Sequence, residues 1–374
     1  MVGRRRRRPG RIARSGPVKV VHFPSGYDDD PRSYIGLLKR ALERRGVEHR
    51  AVPALTPGWA ASTTDVDVVH LHWLEFIVQS DDRRVRGIPR TVARTARVAA
   101  ALLTLHRRGI PIVWTVHNLR PHEQAHRLLD RALAAVVVRL ADRLIVHSDY
   151  ARARVEDRYG SAGKTTVIPH GNYVGAYPPE TRSRAQLRRA RGIPDHAFVF
   201  LAFGQVRPYK RLRDVVSALA SLPGGDVRLL VAGEPTVDAE ASDLRSAASL
   251  GPRVQLDLRR IPDCEVMALH RLADAAVIAY RDVFSSGALL LAVSCGLPVV
   301  APAHGSAAEL VEGPAIESFP PGGLADALER MRHGDQQARA AAALRSARAY
   351  PWSGVAAATL ALYSEALAQV RRPL

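Results

Sequence analysis

Phe198-Val199-Phe200-Leu201-Ala202-Phe203-Gly204-Gln205-Val206-Arg207-Pro208-Tyr209-Lys210 runs from six apolar residues through a glycine into a basic turn. An uninterrupted apolar run closed by a turn signal reads as a strand covered on both faces, the kind found in parallel sheets. Downstream, the spacing predicts helix 213–221, strand 226–232, helix 238–249, strand 254–258, helix 264–272, strand 275–280, helix 287–295 and a last strand at 298–301. Upstream the same alternation holds. Strands are expected at 18–23, 50–53, 66–73, 111–118, 143–148 and 165–168, with helices at 31–45, 89–107, 124–140 and 149–159. Strands alternating with amphipathic helices make an α/β fold of parallel sheets under helical layers.

A chain of 374 residues exceeds what one core usually supports, since single cores stop growing near roughly 250 to 300 residues. Two doubly wound, Rossmann-like domains are therefore expected. A polar, proline-bearing stretch at 172–184 reads as the linker, and 324–370 reads as nearly all helix, able to cross back to the first domain. The expected boundaries are a basic disordered tail at 1–17, an N-terminal domain at 18–175, a C-terminal domain at 185–350, and a returning helix at 351–374.

Composition excludes several classes. The longest apolar runs, such as 98–105, fall far short of the ~20 residues a membrane span requires. Arg4 to Arg8 imitates the start of a signal peptide, but no apolar stretch follows it. Cys264 and Cys295 form neither a disulfide framework nor a zinc motif, which suits a reducing, cytoplasmic setting. The formal net charge is +18, and 50 of the 54 basic residues are arginine. Most of that excess reads as solvated helix faces. The Arg4 to Arg8 run leaves an anionic membrane surface open as a partner, at the inner face, and no nucleic acid is expected.

Ligands of open parallel sheets bind beyond the carboxyl ends of the strands, and three such ends carry chemistry. The turn after the quoted strand offers Gly204, where the backbone approaches a ligand closely, with Arg207 and Lys210 placed to neutralise a diphosphate. In Tyr280-Arg281-Asp282-Val283-Phe284-Ser285-Ser286-Gly287, the residues Ser285, Ser286 and Gly287 open a helix whose free N–H groups suit a phosphate. Serine as a plain N-cap explains one of them. Trp114-Thr115-Val116-His117-Asn118 places His117 where it donates to a sugar hydroxyl or moves a proton, the alternative being a core histidine satisfied by backbone.

Three features are decoys. Gly163-Lys164-Thr165 lacks the earlier glycine of a P-loop, that position being Arg158. His70 and His72 share a strand face, with no third metal ligand at fixed spacing. Asp28-Asp29-Asp30 reads as the approach to a helix, with Asp30 as N-cap and Pro31 at the first helical position. Ser25, Gly26 and Tyr27, in the same loop, are expected on the acceptor side.

Six segments, in this order, resemble the GT-B glycosyltransferases, in particular the retaining family 4 and its bacterial exopolysaccharide relatives. They are Asp142-Arg143-Leu144-Ile145-Val146-His147-Ser148, Val167-Ile168-Pro169-His170-Gly171, the turn from Phe203 to Lys210, Leu229-Leu230-Val231-Ala232-Gly233, Leu272-Ala273-Asp274-Ala275 and Cys295-Gly296-Leu297-Pro298-Val299-Val300. The resemblance covers nearly the whole chain and implies two Rossmann-like domains facing a cleft. It implies that the second domain binds a nucleoside diphosphate sugar, UDP- or GDP-linked, with Lys210 at the family's diphosphate lysine. The usual arginine position holds Gln205, with Arg207 nearby, and His117 matches the histidine that approaches the transferred sugar.

One departure stands out. The family carries two glutamates with seven residues between them, and the matching positions here hold Val283 and Leu291. Asp282, beside the first, is the substitute expected among the catalytic residues, and the outcome at the anomeric carbon stays open. The implied activity is transfer of a hexosyl group to a glycan or lipid-linked acceptor, with no metal or other cofactor. An epimerase or glycosyl phosphorylase of the same fold, and a non-catalytic basic binding protein, remain as alternatives.

Overall fold

The computed structural model describes residues 16–24, 30–52, 54–74, 76, 88–119, 127–249, 253–281 and 283–371. Two compact units divide the chain. The first comprises residues 1–146, 155–168 and 353–374, and the second comprises 147–154 and 169–352.

In the first unit, β1 (Lys19–Phe23), β2 (Glu48–Arg50), β3 (Val68–Leu71), β4 (Ile112–Thr115), β5 (Arg143–Val146) and β6 (Thr165–Val167) form one parallel sheet. Its spatial order is β2-β1-β3-β4-β5-β6. The second unit holds β7 (Phe198–Phe203), β8 (Val227–Ala232), β9 (Val254–Asp257), β10 (Ala275–Val277), β11 (Val299–Pro302) and β12 (Ile316–Phe319). They run β12-β11-β10-β7-β8-β9, again all parallel. Each order reverses once, between β1 and β3 in the first sheet and between β7 and β10 in the second. Beyond the carboxyl ends of two such strands the connections depart to opposite sides, which opens a crevice.

The quoted run shows why the sheets form. Val199 and Leu201 pack into a cluster with helices Asp263–Leu272, Gly287–Ser294 and Gln336–Arg348. Phe200 and Ala202 point the other way, into a cluster with Leu212–Ser221 and Leu324–His333. A strand covered on both sides needs apolar residues at every position, and β7 supplies them.

At the opposite, amino end of the sheets, one aspartate device recurs. Asp67, Asp142 and Asp274 each precede a strand, and each accepts the N–H of a residue at the start of the neighbouring strand. The donors are Lys19 at 3.0 Å, Ile112 at 2.8 Å and Val199 at 2.7 Å. Asp274 also pairs with the buried Arg188 guanidinium at 2.6 Å.

Several details differ from the sequence expectation. The first helix, Tyr34–Glu43, is capped by Ser33, whose Oγ accepts the Gly36 N–H at 3.0 Å. Asp30, the expected N-cap, instead closes the turn before it, its carboxylate taking the Arg32 N–H at 2.9 Å. Helices Pro57–Ser62 and Arg184–Ala190 and strand β12 were not expected. All are short, and β12 lies at a sheet edge where only Phe319 is fully buried, so no apolar run announces it.

Residues 147–154 and 169–175, expected with the N-terminal domain, cluster with the second unit. The Glu309 carboxylate accepts the N–H groups of Asp149 and Tyr150 at 2.7 and 2.8 Å, and the Tyr173 N–H donates to Ser294 Oγ at 2.9 Å. The final helix, Trp352–Arg371, counts with the first unit from Ser353 onward, and the fully buried Tyr363 bonds His70 there at 2.7 Å. Residues 1–15, most of the expected basic tail, lie outside the described residues.

Candidate active site

In the second unit, the reversal between β7 and β10 sets the two phosphate-type loops side by side. The Arg281 N–H donates to the Tyr209 carbonyl at 3.0 Å, joining the loop after β10 to the turn after β7. Tyr209 and Tyr280 meet edge to face with centroids 5.3 Å apart. Tyr280 touches both expected phosphate groups. Its ring lies 5.4 Å beneath the Lys210 ammonium, and its hydroxyl stands close enough to the Ser286 side chain to interact with it. Lys210 and Ser286 therefore share one neighbour.

Lys210 is 6% exposed and donates to the Phe203 carbonyl at 3.0 Å. Burial, with the Arg207 charge second, brings its pKa down to about 7. Such an ammonium is held in place, with one carbonyl for a hydrogen-bond partner and no carboxylate ion pair among the described residues. Such a cation suits an anionic ligand. Arg207, more exposed, braces itself on Gln205 Oε1 at 2.8 Å.

The backbone makes the space. Gly204 (φ 91°) and Gly233 (φ 155°) both adopt conformations that side chains rarely allow. A Cβ on Gly233 would lie 2.2 Å from the Gly204 carbonyl oxygen, so the ends of β7 and β8 approach as closely as glycine permits. Arg211, directly after Lys210, has φ 53°, a strained value for a non-glycine residue.

Helix Gly287–Ser294 presents its amino end to the same crevice. Ser286 caps it, accepting the Leu289 N–H at 3.2 Å, so the capping role and the site role coincide in one residue. At Gly287 a Cβ would stand 3.1 Å from the Tyr173 hydroxyl, which brings a second phenol to the helix start. Tyr173, Tyr209 and Tyr280 were not singled out from sequence. Tyr173 lay inside the presumed linker, and nothing in its neighbours marked it. Ser285 is described beside this cluster, whereas Asp282 lies outside the described residues.

The first unit's reversal, between β1 and β3, carries imidazoles instead. His22 and His70 are register partners on adjacent strands, and both are buried with His72. His22 Nδ1 meets His72 Nε2 at 3.0 Å, and His72 Nδ1 meets His117 Nε2 at 3.2 Å. His70 is held between the Tyr363 hydroxyl and Thr115 Oγ1, each at 2.7 Å. His117 is 6% exposed, stacked on Trp73 at 4.3 Å and met edge-on by Tyr34 at 4.7 Å. It is thus more than a backbone-satisfied core histidine. The third ligand missing from the sequence reading is present as well, because nitrogens of His22, His70 and His72 lie within 4.8 Å of one another. Ser25, Gly26 and Tyr27, the expected acceptor-side residues, lie outside the described residues.

Known proteins resemble this chain. Residues 183–340 match the family described as glycosyl transferases group 1, and residues 32–172 match glycosyltransferase family 4. A D-inositol 3-phosphate glycosyltransferase of Streptosporangium roseum is 30% identical over 300 residues, covering 72% of this chain and 67% of that protein. The chain belongs to the GT-B glycosyltransferases. A GDP-mannose:glycolipid 4-beta-D-mannosyltransferase of Xanthomonas campestris pv. campestris is 27% identical over 246 residues, 66% of this chain and 64% of the relative. The match therefore spans less than two thirds of that relative's own length.

Solved structures agree on the fold. A sucrose-phosphate synthase from Thermosynechococcus elongatus superposes with a TM-score of 0.71 at 18% identity, over 95% of this chain and 100% of its own. Anabaena HepE in complex with UDP-glucose does so at 0.66 and 19%, over 92% and 99%.

Membership makes the absent glutamates concrete. Val283 is fully buried, and its carbonyl accepts both the N–H and the Oγ of Ser306, at 2.8 and 2.9 Å. Leu291, 4% exposed, packs in the core. Both positions serve packing in this GT-B chain.

Proposed function

We propose that the chain transfers a hexosyl group from a nucleoside diphosphate sugar, UDP- or GDP-linked, to an acceptor hydroxyl, without a metal or other cofactor. The observation that carries this reading is the joined pair of loops, where Lys210 and Ser286 both contact Tyr280. The Lys210 ammonium and the amino end of helix Gly287–Ser294 supply positive potential for the diphosphate and for the charge that grows on it as the leaving group departs. The imidazole edge of the first unit offers polar contacts suited to a sugar. Asp282 and the acceptor-side trio Ser25, Gly26 and Tyr27 complete the proposed set.

Relatives support the choice of chemistry. One named for GDP-mannose and glycolipid, and a solved structure holding UDP-glucose, favour a nucleotide-sugar donor and a lipid-linked acceptor in glycan assembly. Among the described residues no helix is long and apolar enough to cross a membrane. A cytoplasmic protein working at the inner membrane face, held by Arg4 to Arg8, fits that setting.

Thermal unfolding in the presence of EDTA tests the proposal. UDP or GDP at about 100 times its dissociation constant should stabilise by about 2.7 kcal/mol. Absence of a shift with either nucleotide, with melting of the apo chain intact, would dismiss the donor site. Turnover that depends on an added acceptor separates transfer from epimerisation, and turnover that needs inorganic phosphate would mark a phosphorylase.

A further inference from the structure

His22, His72 and His117 form a buried row of three imidazoles joined by two hydrogen bonds, of 3.0 and 3.2 Å. A neutral imidazole carries one N–H, so it donates from one nitrogen and accepts at the other. Each of the two links needs one hydrogen. The middle ring can give only one, and the whole row must therefore point in a single direction. Either His22 donates to His72 and His72 to His117, or both links run the other way.

The far end of the row decides between them. His22 Nε2 is buried and has no hydrogen-bond partner among the described residues. If the links ran from His117 toward His22, the last hydrogen would sit on that nitrogen as a buried donor with nothing to receive it, which is the costlier kind of orphan. Burial, followed by the charges of His70, His49 and Lys39, keeps His22 neutral, its pKa well below the ordinary value. The backbone holds the middle ring in place, since the His72 N–H donates to the Phe23 carbonyl at 2.9 Å and the Trp114 indole donates to the His72 carbonyl at 3.0 Å.

We infer that His22 and His72 are positioning residues that fix His117 in the tautomer protonated on Nδ1, with its Nε2 lone pair occupied by His72. In that tautomer neither nitrogen of His117 is ready to take a proton from an acceptor hydroxyl. The general base must then be a different group, so of the two roles left open by the sequence the tautomer removes that of proton carrier. That functional consequence rests on the glycosyl-transfer reading, but the tautomer itself does not.

The experiment is nitrogen-15 NMR of histidine-labelled full-length protein without nucleotide, with the His117 signals assigned by their loss in His117→Gln. In the parent, His117 should show a protonated Nδ1 and a lone-pair-bearing Nε2. His72→Leu should shift His117 toward the Nε2–H form that prevails in water. His72→Gln should restore the parent pattern, because its amide accepts from His22 and donates to His117. A parent His117 protonated on Nε2 would overturn the inference before any variant is made. So would zinc titration that gives coordinated signals on His22, His70 and His72, because ligation would consume the row. Should His72→Leu fail to fold, His22→Phe, which deletes the first donor and keeps an aromatic ring, must loosen the tautomer of His117, and an unchanged pattern would also overturn it. All of these spectra are recorded without donor, so a failure of nucleotide binding in Lys210→Ala would leave the tautomer result standing.

Discussion

The two units solve one architectural problem with opposite chemistries. Both are six-stranded parallel sheets with a single reversal of strand order, and in both the polar groups gather where that reversal opens the carboxyl edge. At the β1–β3 edge of the first unit the groups are buried imidazoles, three of them joined by hydrogen bonds. At the β7–β10 edge of the second unit they are a lysine, an arginine and a helix start. The fold fixes where a ligand can sit, and the residues at the strand ends decide which kind. A histidine edge suits partners met by hydrogen-bond direction, while a cationic edge suits partners drawn by charge.

The most damaging substitution lies at the opposite ends of the sheets. Asp274→Ala strips the buried Arg188 of its carboxylate and should cost about 3–5 kcal/mol in the second unit's unfolding transition. Asp142→Ala, which removes only the partner of the Ile112 N–H, should cost about 1–3 kcal/mol in the first. Equal losses in denaturant titrations would show that the buried cation does not distinguish the units.

Next in size is Lys210→Ala, which should lower turnover by roughly 10²–10³-fold, the usual loss when one preorganised donor to a developing anion is removed. Steady-state assays with UDP- and GDP-hexoses measure it, and parent-like rates would remove the cationic edge from the mechanism. Tyr363→Phe belongs to the other edge. It leaves His70 Nδ1 without its 2.7 Å partner and should destabilise the first unit by about 1–3 kcal/mol, read by thermal melting.

The smallest effect is a fraction of a proton. With its pKa at about 7, Lys210 loses charge as pH rises through neutrality, and a bound diphosphate favours the charged form. Nucleotide affinity should therefore fall as pH rises above about 7, and binding there should take up protons. Calorimetry in buffers of different ionisation enthalpy reads the uptake directly. Proton release, or none at pH 8, would contradict the buried position of Lys210.

Much of the scaffold was legible in the sequence because it depends on local rules. The aspartates before β5 and β10 and the glycine before Lys210 lie in segments shared with the family, and the aspartates, like the apolar run at β7, build the sheets. Asp274 is typical. It is a motif residue whose carboxylate ties Val199 and Arg188 at the amino end of the sheet, opposite the expected ligand groups. The elements missed were short ones, such as β12 and the helix Arg184–Ala190, whose few buried positions leave no periodic trace.

The order of residues was enough to show that strands and helices alternate, that Lys210, Ser286 and His117 stand at strand or helix ends, and that no acidic pair occupies the family's positions. Which side chains meet came from the packed fold. Tyr280 under Lys210, Tyr173 at Gly287, and His22 lined up with His72 and His117 are contacts between residues on different strands or loops. Periodicity reports which face of an element is apolar, because burial acts on each element separately. Partner and direction depend on strand order and register, which arise from packing the elements together.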